Sequence, residues 1–160
     1  MNKPFTHLDG AGQARMVDVS EKPMSLRSAT AAGFVRCSAE VVAALRSQSV
    51  PKGDVLAVAR VAGIAAAKRT PELLPLSHVI NIHAVTVDLA IIDAGVQITA
   101  TVRATERTGV EMEAWTAVTV AGLAIVDMVK GLDKSVSIEN VRLMSKAGGR
   151  SGVWHNDANP

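Results

Sequence analysis

The stretch Val85-Thr86-Val87-Asp88-Leu89-Ala90-Ile91-Ile92-Asp93-Ala94-Gly95-Val96-Gln97-Ile98-Thr99-Ala100-Thr101-Val102-Arg103 carries period-two patterning on both sides of a glycine turn. Val85, Val87 and Leu89 alternate with Thr86 and Asp88, and Val96, Ile98, Ala100 and Val102 alternate with Gln97, Thr99, Thr101 and Arg103. A strand sends successive side chains to opposite faces, so this pattern predicts an antiparallel hairpin with one face on the core and one in water. Downstream, Glu111 to about Lys130 is ambiguous by residue type, because Val, Thr and Ile favour strands. Its length and Ala-rich middle favour a helix that is apolar nearly all round, which needs cover from a core or an oligomer interface. A final strand is expected from about Val136 to Met144, ahead of the basic, glycine-rich segment 146–152 and a polar tail.

Upstream of the hairpin, Ser38 is placed to cap a helix running to about Ser47, with Glu40 adding negative charge to its first turn. A second helix is expected from Lys52 to Lys68. Val55, Val58, Ala59, Ala62, Ala65 and Ala66 share one face, and Gly63 admits a close neighbour. Pro71 ends that helix, because the residue before proline disfavours helical backbone. Ala14 to Val19 is compatible with a short strand, and Leu73 to Ile82 is apolar and irregular. The sum is an α+β domain of mostly antiparallel strands with helices packed on one face.

Length and composition bound the function. The 160 residues correspond to a single domain over 1–160, with flexible ends at about 1–12 and 153–160. Apolar residues make up 48% and charged residues 20%, which excludes a disordered chain. Two Phe, two Trp and no Tyr argue against base stacking, and a net charge of +2 argues against a dedicated nucleic-acid binder. An Ala/Val/Leu/Ile core is thin for one chain, so association with further copies is expected. Cys37 stands alone, and His7, His78, His83 and His155 have no metal-ligand spacing, so no metal is expected. The N-terminus lacks a signal-peptide apolar region. The longest apolar-rich run, Trp115 to Val126, has 12 residues and is short for a bilayer, so a cytoplasmic, membrane-free protein is expected.

Chemistry concentrates at the two ends of the apolar helix. Glu111 and Glu113 open it, either as charges complementing the helix N-terminus or as groups orienting a substrate edge. Asp127 and Lys130 lie three apart near its end, either as a surface pair or, set in a buried wall, as a tuned proton-transfer pair. Glu113 and Asp127 are 14 residues apart, about 21 Å along a helix, so one small molecule touching both ends implies a site built across subunits. Lys52 at a helix start is electrostatically misplaced unless an anionic ligand or catalysis requires it; a solvated lysine is the alternative. Lys68-Arg69 and Lys146 to Arg150 are basic segments suited to phosphate, though the latter is not a Walker loop. His78, in an apolar segment, reads by default as a packed or hydrogen-bonded histidine.

The order of these features resembles one family. Thr6-His7-Leu8-Asp9, Met16-Val17-Asp18-Val19-Ser20-Glu21-Lys22, Lys52-Gly53-Asp54-Val55 and Ala65-Ala66-Ala67-Lys68-Arg69-Thr70 come first. Leu74-Pro75-Leu76-Ser77-His78, Thr108-Gly109-Val110-Glu111-Met112-Glu113-Ala114, Asp127-Met128-Val129-Lys130 and Gly148-Gly149-Arg150-Ser151-Gly152 follow. From about Thr6 to Gly152 the chain resembles the cyclic pyranopterin monophosphate synthases, the molybdenum cofactor biosynthesis protein C family. The blocks MVDVSEK and TGVEMEA are the most specific.

The resemblance implies a ferredoxin-like subunit in a hexamer, a trimer of dimers, with active sites at dimer interfaces. It implies conversion of a 3′,8-cyclised dihydro-GTP to cyclic pyranopterin monophosphate with release of pyrophosphate, without metal or cofactor. By position, Asp127, Lys52 and Lys130 match the family's catalytic residues; Leu76, Ser77 and His78 match one substrate-contacting strip, and Met112 and Glu113 another. Glu111 is expected to assist in recognising the base. Lys68-Arg69 and Lys146 to Arg150 are candidates for the triphosphate. The chain departs from the family pattern at Ser77 for Cys, Val79 for Pro, Val126 for Tyr and Val129 for Cys. Val79 restores an N–H beside His78. A diverged, non-catalytic guanine-nucleotide-binding oligomer of the same fold is the alternative. A purely structural assembly protein leaves the polar residues at the helix ends without a role.

Overall fold

The computed structural model describes residues 7–150 and 152–157; Thr6 and Ser151 of the motifs above, and the outermost residues of both ends, lie outside them. The elements run β1 (Ser25–Arg36), α1 (Ala39–Arg46), α2 (Val55–Ala67), α3 (Thr70–Leu73), β2 (Ile82–Ile92), β3 (Gly95–Glu106), α4 (Glu111–Val129), β4 (Ser137–Ala147) and β5 (Trp154–His155). One antiparallel sheet has the order β2-β3-β1-β4-β5. Its first four strands and the helices between them form a split β-α-β, ferredoxin-like arrangement. The expected hairpin is β2 with β3, pairing Val85 with Val102 and Ile91 with Val96.

The central strand is β1, which alternation of large apolar residues does not announce. Ala29, Ala31, Gly33 and Val35 turn inward and are buried. Serine, alanine and glycine have low strand propensity, so their periodicity is one of size. The small residues are required by what lies above them. A Cβ on Gly33 would stand 2.7 Å from Val118 Cγ1 of α4.

Ser38 caps α1 as expected, its Oγ accepting from the Val41 N–H at 3.4 Å. Helix α2 begins later than expected, at Val55, because Asp54 is the cap and accepts from the Ala57 N–H at 2.9 Å. Its buried stripe is Val55, Ala59, Gly63, Ala66 and Ala67, whereas Val58 and Ala65 point outward. The stripe follows the contact with α4, narrower than the apolar face written in the sequence. At Gly63 the helices nearly touch, with a would-be Cβ 2.8 Å from the Ala117 carbonyl. Ala14 makes one bridge to Leu8, and residues 15–19 have no regular structure, so no strand forms at 14–19.

Helix α4 is apolar enough, at mean hydropathy 1.5 over an 18-residue window, and long enough to cross a bilayer. The 12-residue apolar run therefore understated it. Its inner face, from Ala114 through Val118, Ala121 and Ile125 to Val129, is buried against the sheet and α2. The outer face is open, with Leu123 exposed, so cover is one-sided within the chain.

Candidate active site

The turn before α2 lies against the last turn of α4. Lys52 Nζ donates to Asp127 Oδ2 at 3.1 Å and to the Asp127 carbonyl at 2.7 Å, while Lys130 Nζ pairs with Asp127 Oδ1 at 2.7 Å. Free carbonyls gather at a helix C-terminus, so both ammonium groups also sit at its negative end. This resolves the misplaced charge of Lys52, which belongs to the end of α4 and not to the start of α2. Hydrogen bonds from Lys130 and then Lys52 hold the Asp127 carboxyl below its ordinary range. The cluster is not set in a buried wall. Side-chain exposures of 48% for Lys52, 58% for Asp127 and 59% for Lys130 place it at the surface. Ile125, two residues before Asp127, faces inward, whereas Leu123 on the outer face is exposed, so the apolar run does not enclose the end of the helix.

A second constellation occupies the other end of α4. Glu113 is 2% exposed, and its Oε1 has no hydrogen-bond partner among the described residues. Burial pushes its carboxyl up to about 7, so a large share of molecules carry it neutral at physiological pH. Glu111, on a different side of the helix, accepts from Lys146 Nζ at 2.8 Å. Met112 between them is exposed.

Beside Glu111 opens a cavity of about 460 Å³, lined among others by Lys22, Arg27, Arg107, Lys146 and Arg150. Five cations thus face one carboxylate, Glu111. Gly149 keeps positive φ, and a Cβ there would collide with the Arg27 guanidinium. Lys146 and Arg150, expected for phosphate, are in this cavity; Lys68 and Arg69 are outside it, Arg69 pairing with Glu72 at 3.1 Å. Lys22, Arg27 and Arg107 complete the cavity's cationic lining, and the sequence pattern does not mark them as site residues. Lys22 closes the MVDVSEK block and Arg107 adjoins TGVEMEA, which is the only trace they leave in sequence.

The third group is the strip Leu76-Ser77-His78. Because α2 runs antiparallel to α4, the chain leaving α2 returns toward the first turns of α4, which α3 contacts. The Ser77 N–H closes a turn on the Leu74 carbonyl at 2.9 Å, and His78 Nε2–H donates to the Val17 carbonyl at 2.7 Å. Leu76 and Val79 are exposed. One chain therefore assembles Lys52, Asp127 and Lys130 at one end of α4, and Glu111 with the cationic cavity at the other. The 16 residues from Glu111 to Asp127 span about 24 Å.

Residues 16–149 match the MoaC family. The chain is 57% identical over 150 residues to a cyclic pyranopterin monophosphate synthase of Streptomyces coelicolor, covering 94% of this chain and 88% of that protein. It is 56% identical over 153 residues to the protein of that name from Nocardioides, covering 94% of each. To cyclic pyranopterin monophosphate synthase 2 of Mycobacterium tuberculosis it is 52% identical over 150 residues, covering 94% of this chain and 90% of that one.

Proposed function

The chain belongs to the MoaC family, and from that premise we propose that it is a cyclic pyranopterin monophosphate synthase, a lyase of molybdenum cofactor biosynthesis. Its small-molecule substrate is a 3′,8-cyclised dihydro-GTP, and its products are cyclic pyranopterin monophosphate and pyrophosphate. The observation that carries the catalytic reading is the Lys52–Asp127–Lys130 cluster, one carboxylate bridging two ammonium groups.

Closing the cyclic phosphate requires a ring hydroxyl to attack the α-phosphorus while the bond to the departing pyrophosphate breaks. The hydroxyl loses a proton in that step, and ring opening and pyran closure need further proton transfers. Lysines beside a fixed carboxylate suit this work: Asp127 orients them, and Lys52 and Lys130 accept and return protons. The cationic cavity, in which Lys22, Arg27, Lys146 and Arg150 face the anion, suits the triphosphate, whose charge it complements. Leu76, Ser77 and His78, with Met112 and Glu113, contact the purine-derived rings, and Glu111 supports that pocket through Lys146. A neutral Glu113 can donate a hydrogen bond to a ring atom.

The two ends of α4 are too far apart for one small molecule. We place each active site between two chains, one giving the lysine–aspartate cluster and the other the anion cavity, in a hexamer built as a trimer of dimers. The one-sided cover of α4 and the thin aliphatic core favour such an assembly. Residues 1–160 act as a single domain, in the cytoplasm.

Anaerobic incubation with the cyclised GTP, then oxidation and detection of fluorescent pterin together with released pyrophosphate, tests the activity. Pterin and pyrophosphate in equal amounts are expected. Guanine-nucleotide binding without either product would overturn the assignment in favour of a non-catalytic oligomer.

A further inference from the structure

Proton transfer and phosphate binding leave one group of contacts unexplained. Arg107, just beyond β3, donates from Nη1 to the carbonyls of Ser20 and Lys22, the latter at 2.7 Å. Its own backbone is fastened to β1, since Arg27 donates from Nε to the Glu106 carbonyl at 3.2 Å and from Nη2 to the Arg107 carbonyl at 3.3 Å. Glu106 Oε1 in turn accepts the Asn81 N–H at 3.1 Å. Through His78 and Val17, the segment that runs from the Leu76-Ser77-His78 strip to Asn81 is tied to the same upstream segment.

The segment so held has little else to fix it. Residues 15–19 have no regular structure, and residues 20–22 form a turn closed locally by Lys22 N–H on the Val19 carbonyl and Ser20 N–H on Asp18 Oδ1. Among the described residues, the long-range hydrogen bonds of 16–22 come from His78 and Arg107. A turn without regular pairing opens at low cost, so its side chains point where its few anchors dictate. A guanidinium presents several N–H groups in a rigid plane and can hold two carbonyls at once, which a lysine ammonium does with less directional control.

We propose that Arg107 is a positioning residue: it pins the 20–22 turn to the wall of the cationic cavity and thereby sets the Lys22 ammonium over the anion. This rests on the synthase reading for the identity of the substrate, though not for the anion site itself. Without the pin, Lys22 would still carry its charge but would spend much of its time away from the cavity. The loss would therefore fall on binding and leave the proton-transfer cluster, at the far end of α4, untouched.

The test combines three measurements on the full-length protein carrying Arg107→Ala, Arg107→Gln, Arg107→Lys, Lys22→Ala or the Arg107→Ala/Lys22→Ala pair. Hydrogen exchange should rise at least about tenfold across 17–22 in Arg107→Ala and Arg107→Gln, with β1 and α4 unchanged. The Kd for tripolyphosphate, used as the anion probe, and the KM for the cyclised GTP should each rise about tenfold with kcat within about threefold. The double variant should bind no worse than Lys22→Ala alone, because residues acting through one another are non-additive. Arg107→Lys should recover part of both the protection and the affinity. Additive losses in the double variant would mean that Arg107 holds the anion directly, and unchanged exchange across 17–22 would mean that it pins nothing; either overturns the proposal. Absence of pterin from the unmodified protein would refute the synthase reading alone, leaving the exchange and tripolyphosphate measurements to decide the role of Arg107.

Discussion

Lys52 meets Asp127 twice, its ammonium donating to the carboxylate at 3.1 Å and to the backbone carbonyl of the same residue at 2.7 Å. The double contact joins the turn before α2 to the end of α4 and leaves the second carboxylate oxygen for Lys130. Lys52→Ala, Asp127→Asn and Lys130→Ala should each lower kcat by at least about a hundredfold, as expected when a proton-transfer group is lost. Exposed ion pairs contribute little to stability, so melting temperature and oligomeric state should stay near those of the unmodified protein. A kcat within tenfold in any of the three would remove that residue from the catalytic set.

The two clusters make a prediction about assembly. If each site draws Lys52 from one chain and Lys146 from another, Lys52→Ala and Lys146→Ala chains are inactive separately and complement when co-expressed. Random pairing would give mixed dimers half the time, each with one intact site of two, so about a quarter of full activity should return. Sites contained within single chains would return none.

Glu113 predicts a pH dependence of stability. Its folded value, about 7, lies above the ordinary 4.5, so the folded state holds a proton that the unfolded state releases. Its contribution is fully present below about pH 4.5 and is lost as pH rises toward 7, where the folded form ionises too. Glu113→Gln should flatten the decline of melting temperature between pH 5 and 7.5. An unchanged slope would show that the carboxyl does not titrate in this window. Asp127, held low by its lysines, acts in the opposite sense and in another range, losing its contribution only as pH falls below about 4.

Close packing at Gly63 predicts a steric penalty. Valine there would drive a side chain into the Ala117 carbonyl and the Ala121 methyl. Overpacking of this kind costs about 1–3 kcal/mol, more than the helix propensity gained over glycine. A fall of roughly 2–12 °C in melting temperature is expected from differential scanning calorimetry; an increase would mean that α2 and α4 do not meet at this point.

The hairpin, the capped α1 and the long α4 were legible because period-two and helical patterning survive in their side chains. Strand β1 was not, since its inner residues are distinguished by smallness, which propensity reads as loop. The Lys52–Asp127–Lys130 cluster was half legible: Asp127 and Lys130 share a helix face, but nothing local brings Lys52 across 75 residues to join them. Its exposure is hidden in the sequence, because a run of apolar neighbours says how a helix packs, not which way its last turn faces. Arg27 and Arg107 were invisible as site residues for a related reason. They come from β1 and the end of β3, neighbours only in the folded sheet, and carry no spacing of their own.

The run of Ala29, Ala31 and Gly33 along β1 has a practical consequence for anyone altering this protein. The strand stores its information as volume rather than as oiliness. A redesign that upgraded these positions to valine or isoleucine would raise every local strand score while wedging α4 away from the sheet. Both ends of α4 would be carried with it, and so a change made in the name of stability would arrive as a loss of alignment at the lysine–aspartate cluster and at the cationic cavity alike.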